Sequence, residues 1–134
     1  EGLDILPMVM DLGRPSPALG WENGEEVSFL ERTAGRFDMV FALALVHHLL
    51  VRERVPMKHI IAHFARQTTR WAIIEWVPPE DPQFLRLSGP NRRLYEALTA
   101  EVFEASLVED FRLERRLGIT GGARVLYLLE RLRS

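Results

Sequence analysis

Residues Phe37–Leu50 read FDMVFALALVHHLL, and no other stretch restricts the fold as tightly. Asp38 sits at the start of an otherwise apolar run, which passes abruptly into a segment bearing His47 and His48. An uninterrupted apolar strand of this kind belongs in a parallel sheet covered on both faces. The histidines that follow suit a helix, so the pair reads as strand then helix. In open α/β sheets the ligand lies beyond the carboxyl ends of the strands. A candidate site therefore runs from Ala42 to His48.

The chain has 134 residues, enough for one core and short for a complete doubly wound enzyme. Residues 1–134 are accordingly expected to form a single domain. A net charge of −2 gives no electrostatic reason to expect nucleic acid or an anionic membrane as partner. With no cysteine, disulfides, thiolate metal sites and cysteine nucleophiles are all excluded. No basic leader and no long apolar run appear, so a cytoplasmic location is expected. The chain opens Glu-Gly-Leu-Asp without an initiator methionine, which is compatible with a piece of a longer product.

Along the chain, ILPMVM at Ile5–Met10 reads as a short edge strand that tolerates Pro7. Asp11 ends it, and the glycine- and proline-rich segment to Gly24 is a loop. Glu25–Thr33 predicts a short helix with Val27, Leu30 and Phe29 inward, and Phe37–Leu43 is the second strand. A helix starts near His47, and a second begins at Pro56 with Met57, Ile60, Ile61, Phe64 and Ala65 on one face. WAIIEWV at Trp71–Val77 is a third strand. Asp81-Pro82 caps and opens a helix, Gly89-Pro90-Asn91 breaks it, and Thr99 caps another. Phe111–Thr120 and Ala123–Arg131 form an antiparallel hairpin turned at Gly121-Gly122. Its arginines at 112, 115, 116, 124, 131 and 133 read as a solvated face.

Two polar features stand out from this background. Glu75 lies inside an apolar strand, where an unpaired charge is expensive, so it pairs with an arginine or histidine or faces the crevice. His47 and His48 point about 100° apart on a helix, and one of them could orient a substrate or accept its proton. His59 and His63 are four apart, a metal spacing, but lack a third ligand and read as solvated. Trp21 sits in the loop as a candidate lid.

Three segments in order carry a resemblance. They are MDLGRPSPALGW, FDMVFALALVHHL, and IIEWVPPEDP followed by helices and a closing hairpin. The set resembles the class I S-adenosylmethionine-dependent methyltransferases from their third strand to their seventh. The fold so implied is α/β, a mostly parallel doubly wound sheet flanked by helices and ending in an antiparallel hairpin. The resemblance implies S-adenosylmethionine as cofactor. Asp11 would accept from the adenine amino group, Leu12 would pack on the ring, and Ala42, Leu43 and Ala44 would line the methionine end. His47, His48 and Glu75 are the candidate catalytic residues, named for their own chemistry. An alternative use of Asp11 is to satisfy backbone donors in its own turn.

The chain departs from this pattern at its front. No glycine-rich turn follows a strand, and a lost βαβ unit would be roughly 30 residues or more. The expectation is the carboxyl-terminal part of a methyltransferase acting on a small-molecule acceptor, inactive alone. In the complete fold two strands would separate Ile5–Met10 from Phe37–Leu43. Without them Ile5–Met10 either slides beside Phe37–Leu43 in parallel, or the bare edge pairs with a second copy as a homodimer. The competing reading is a degenerate methyltransferase-like module that dimerises or docks a partner without catalysis. A hydrolase or dehydrogenase fragment is disfavoured by the absence of a nucleophile elbow or a dinucleotide fingerprint.

Overall fold

A computed structural model describes residues 2–132, so the hairpin's Arg133 lies outside the described range. The chain divides into two compact units, one ending at Arg32 and the other beginning at Thr33.

In the first unit Ile5–Met10 forms no strand, which corrects the sequence expectation. Pro7 removes one backbone donor, and the sheet contains no strand from this segment. The expected slide of Ile5–Met10 alongside Phe37–Leu43 therefore does not occur. Ile5, Leu6, Met8 and Val9 are all exposed. Further on, Leu19 and Glu26 bridge across a 3-10 turn at Trp21–Asn23, which leaves Trp21 exposed. Helix α1 spans only Phe29–Thr33. It starts there because Ser28 and Glu31 close a reciprocal cap: Glu31 N–H donates to Ser28 Oγ at 3.2 Å, and Ser28 N–H to Glu31 Oε2 at 2.9 Å. Val27 thus precedes the helix and is exposed rather than inward.

The second unit contains β1 (Phe37–Ala42), α2 (Val46–Val51), α3 (Met57–Gln67) and β2 (Thr68–Trp76). It continues with α4 (Pro82–Ser88), a 3-10 segment at Gly89–Tyr95, α5 (Ala100–Leu107), β3 (Phe111–Gly118) and β4 (Val125–Arg131). Asp81 caps α4 by accepting from Gln83 N–H at 2.8 Å, and Thr99 caps α5. Among the described residues no helix is long and apolar enough to cross a membrane.

The four strands lie in the order β1-β2-β4-β3. β1 pairs with β2 in parallel, Met39 opposite Trp71 and Ala42 opposite Ile74. β4 runs antiparallel to both β2 and β3. The sheet is therefore mixed, and the expectation of a mostly parallel sheet is corrected: one of its three ladders is parallel. The hairpin return places β4 between β2 and β3, turning both of its ladders antiparallel. The turn is longer than two residues. Ile119 N–H donates to the Arg124 carbonyl at 2.9 Å, and Gly121 takes a φ of 86° that favours glycine.

Alternation along the strands sorts their side chains. Ala42, Ala72, Ile74, Trp76, Tyr127 and Leu129 are buried on one face. There Trp76 stacks on Phe103 of α5 at 4.8 Å between centroids, and Phe103 meets Tyr127 at 5.0 Å. Ile60, Ile61, Phe64 and Ala65 of α3 are buried as their spacing predicts, and α3 contacts α5. Tyr127 hydroxyl donates to Glu104 at 3.0 Å. Burial first, then this carboxylate, pushes its pKa up to about 12.

On the opposite face Met39 and Phe41 remain 36% and 59% exposed, and Leu117 57%. Ile73, Leu117, Leu126 and Leu128 line a shallow apolar groove there, with Arg115 at its side. Double winding is thus also corrected, and the topology explains why. From β1 to β2 and from β2 to β3 the chain progresses across the sheet in one direction. Right-handed crossovers that progress one way put their helices on the same face.

Candidate functional site

The carboxyl ends of β1 and β2 bring together Ala42, Leu43, Ala44, His47, His48 and Glu75. Three chain turns cooperate to do so. After Ala42 the chain bends sharply, and Ala44 adopts a left-handed conformation with φ 49°, uncommon for a residue with a Cβ. Its N–H donates to Glu75 Oε2 at 2.7 Å. The other oxygen, Glu75 Oε1, accepts from Arg124 Nη1 at 3.1 Å. Arg124 also grips Asp81 through two bonds, Nε to Oδ2 at 2.7 Å and Nη2 to Oδ1 at 3.1 Å. Asp81 at the same time caps α4. One guanidinium therefore ties the β1–α2 turn, the end of β2, the start of α4 and the start of β4.

This cluster is largely shielded: the side chains of Glu75, Asp81 and Arg124 are 9%, 10% and 25% exposed. Hydrogen bonds from Arg124 hold the Asp81 carboxyl below the usual carboxylate range. The two carboxylates in turn raise the Arg124 guanidinium, Asp81 most. Such paired and bonded charges are what the cost of burying Glu75 requires.

His47 stands beside the cluster. It is buried on α2, its ring 4.4 Å from that of His48 and 6.3 Å from Phe84 of α4. Its Nδ1 is buried without a hydrogen-bond partner among the described residues. Burial, then the neighbouring His48 and Arg124, lowers its pKa to about 4. His47 is consequently neutral at pH 7, with an unused polar atom of the kind native interiors rarely leave orphaned. His48 is exposed.

Asp11 and Leu12 belong to the first unit. Asp11 Oδ1 accepts from Gly13 N–H at 2.9 Å, so part of the carboxylate serves its own turn. After β1, Leu43 and Ala44 are exposed. A glycine-rich cradle for the methionine end is absent from the described residues. His59 and His63 remain on α3, and no group of three metal-ligating side chains occurs among the described residues. Burial lowers the His63 pKa, with Arg66 adding to it.

Two members of the cluster are not evident from sequence. Asp81 reads as a cap, which it is, and Arg124 as part of a solvated arginine face, which it is not. A signal exists: Glu75 needs a cation, and Arg124 immediately precedes the strand whose Val125 pairs with Trp76.

No family model and no solved structure matches the chain. It is similar to nodulation protein NoeA of Rhizobium meliloti (strain 1021), 33% identical over 128 residues, or 96% of this chain and 26% of that protein. The chain spans about a quarter of the length of this relative.

Proposed function

We propose that this chain is the acceptor-side part of an S-adenosylmethionine-dependent methyltransferase that modifies a small molecule, and that it is inactive alone. The observation that carries this reading is the position of β1. The strand bearing the candidate site at its carboxyl end, with Met39 and Phe41 exposed on its outer face, is one of the sheet's two edge strands. Nucleotide-type ligands bind in open α/β sheets where the strand order reverses. Here the order runs one way from β1, so the crevice beyond Ala42 has one wall. A strand on the other side of β1 would create the reversal and the second wall. The greater length of the NoeA relative, of which this region is 26%, is consistent with such a larger protein.

In this reading the cofactor supplies a methyl group on a sulfonium that already carries its leaving group. The protein's task is then mainly positioning. Leu43 and Ala44 would flank the methionine end. Glu75, with both oxygens engaged, positions the Ala44 turn. His47, neutral and with an unsatisfied Nδ1 that is buried in this structure, would accept a hydrogen bond from a hydroxyl or amine of the acceptor only once its ring is uncovered. His48 lies at the rim. A cytoplasmic location belongs to the same reading. Calorimetry with S-adenosylmethionine on the 134-residue chain is expected to give binding weaker than micromolar. Micromolar affinity would overturn the view that half of the clamp lies elsewhere.

The same open edge favours a second reading, a non-catalytic module that pairs with a second copy through β1. The free backbone groups of an edge strand are a template for pairing, and a two-fold axis would align Met39 and Phe41 of both copies. Sedimentation should then show a dimer that Phe41→Lys dissociates. A monomer at all concentrations would remove this reading.

A further inference from the structure

A cleft of the second unit lies away from the site just described. It has a volume of about 540 Å³ and opens where α2 runs out, facing α4 and the 3-10 segment. The candidate site adjoins the opposite end of α2. One wall is Val51, Val55 and Pro56, and the other Leu87, Leu94 and Tyr95. The volume lies within the range of small-molecule pockets, which are largely apolar with a few placed polar groups. The polar groups here are Arg54, Asn91 and Ser88.

The charge of these walls is distinctive. Residues 50–56 and 82–98 together hold five arginines (52, 54, 86, 92 and 93) against two glutamates (53 and 96), in a chain whose net charge is −2. Arg52 is paired with Glu53 at 3.6 Å. Arg54 lines the cleft and has no carboxylate within ion-pair distance among the described residues. Its backbone is left-handed, φ 55°, a conformation that turns the chain out of α2 at the mouth of the cleft. A trough of mixed polarity, with aliphatic side chains on both walls and a guanidinium free of carboxylate partners among the described residues, matches an amphipathic monoanion, whose carboxylate Arg can engage in a bidentate fork.

We infer that this cleft is a binding site for a small carboxylic acid with an aliphatic or aryl body, the carboxylate at Arg54 and the body between Val55 and Leu94. The site stands on the cleft itself and does not require methyl transfer. It is nonetheless connected to the candidate site. Tyr95 packs edge-on against Phe84 at 5.4 Å, and Phe84 stacks on His47. A ligand seated against Tyr95 would therefore press on the aromatic pair that confines the imidazole.

The test uses 4-phenylbutyrate and its uncharged amide, titrated into the 134-residue chain by calorimetry and amide-resolved NMR. The acid is expected to bind about tenfold or more tightly than the amide, a difference of about 1.4 kcal/mol. Arg54→Gln should abolish that preference while leaving the weaker amide affinity unchanged. Leu94→Trp, at a side chain already 76% exposed, should fill the trough and weaken both ligands. Equal affinity for acid and amide, a preference that survives Arg54→Gln, or no saturable binding of either would overturn the proposal.

Discussion

Replacing Arg124 by alanine is expected to destabilise the second unit by about 3–5 kcal/mol, the usual loss when one partner of a shielded charge pair is removed. The substitution leaves two carboxylates, Glu75 and Asp81, without their shared cation. Both have exposures near one tenth, so water recovers little of their lost solvation. It also frees the ties between β2, α4 and β4. Urea denaturation of wild type and Arg124→Ala, compared at pH 7, reads the difference directly. Adding Glu75→Gln and Asp81→Asn to Arg124→Ala should recover part of it, since neutral amides leave no uncompensated charge. A loss below about 1 kcal/mol, typical of exposed ion pairs, would show that the cluster does not hold the unit together.

The second large effect comes with acid. His47 has a pKa of about 4 in the folded chain, against roughly 6.5 when unfolded. Its protonation therefore favours the unfolded state. Its contribution to stability is complete above pH 6.5, declines as the pH falls, and is exhausted near pH 4. Across that window about 3 kcal/mol should be lost, because each tenfold difference in proton affinity between the two states is worth about 1.4 kcal/mol. His47→Phe should remove most of this slope and leave the smaller part that His63, whose pKa is also lowered by burial, adds in the same direction. Asp81 acts in a separate window: its folded pKa is depressed by Arg124. The stability it contributes is present above about pH 3.9 and falls away at lower pH, as the folded carboxylate protonates. Stability measured at half-unit intervals from pH 7 to pH 3 separates the two. A flat profile between pH 6.5 and 4 in wild type would contradict the buried, neutral placement of His47.

The strands and helices most legible in the sequence are those whose burial is decided by their own side-chain period. FDMVFA and the core of WAIIEWV form β1 and β2, joined in parallel, and the face predicted for α3 is the one buried. Local caps are equally readable, because Asp81 and Thr99 act within three residues of themselves. ILPMVM misleads for the opposite reason. A strand requires a partner ladder, and its apolar pattern says nothing about whether one is available. The make-up of the sheet is obscured by a related cause. Apolar side chains on both sides of β1 suggest two covered faces, yet Met39 and Phe41 stay exposed. The pattern reports what the strand is built to bury, while the crossovers present cover one face. At the site, His47 and Glu75 draw notice as polar groups in an apolar setting, whereas the Ala42–Ala44 turn is singled out by the resemblance and not by its own chemistry. Arg124 is hidden because five other arginines share its hairpin segment, and composition does not distinguish the one that folds inward.

The proposed function requires β1 to be one wall of a crevice for a nucleoside cofactor, with the opposite wall lying outside these residues. Amide-resolved NMR on the labelled chain, titrated with S-adenosylhomocysteine, tests this most directly. Weak, fast-exchange shifts are expected at Leu43 and Ala44 after β1. Saturation at micromolar ligand, or shifts that bypass the Leu43-Ala44 turn, would contradict it.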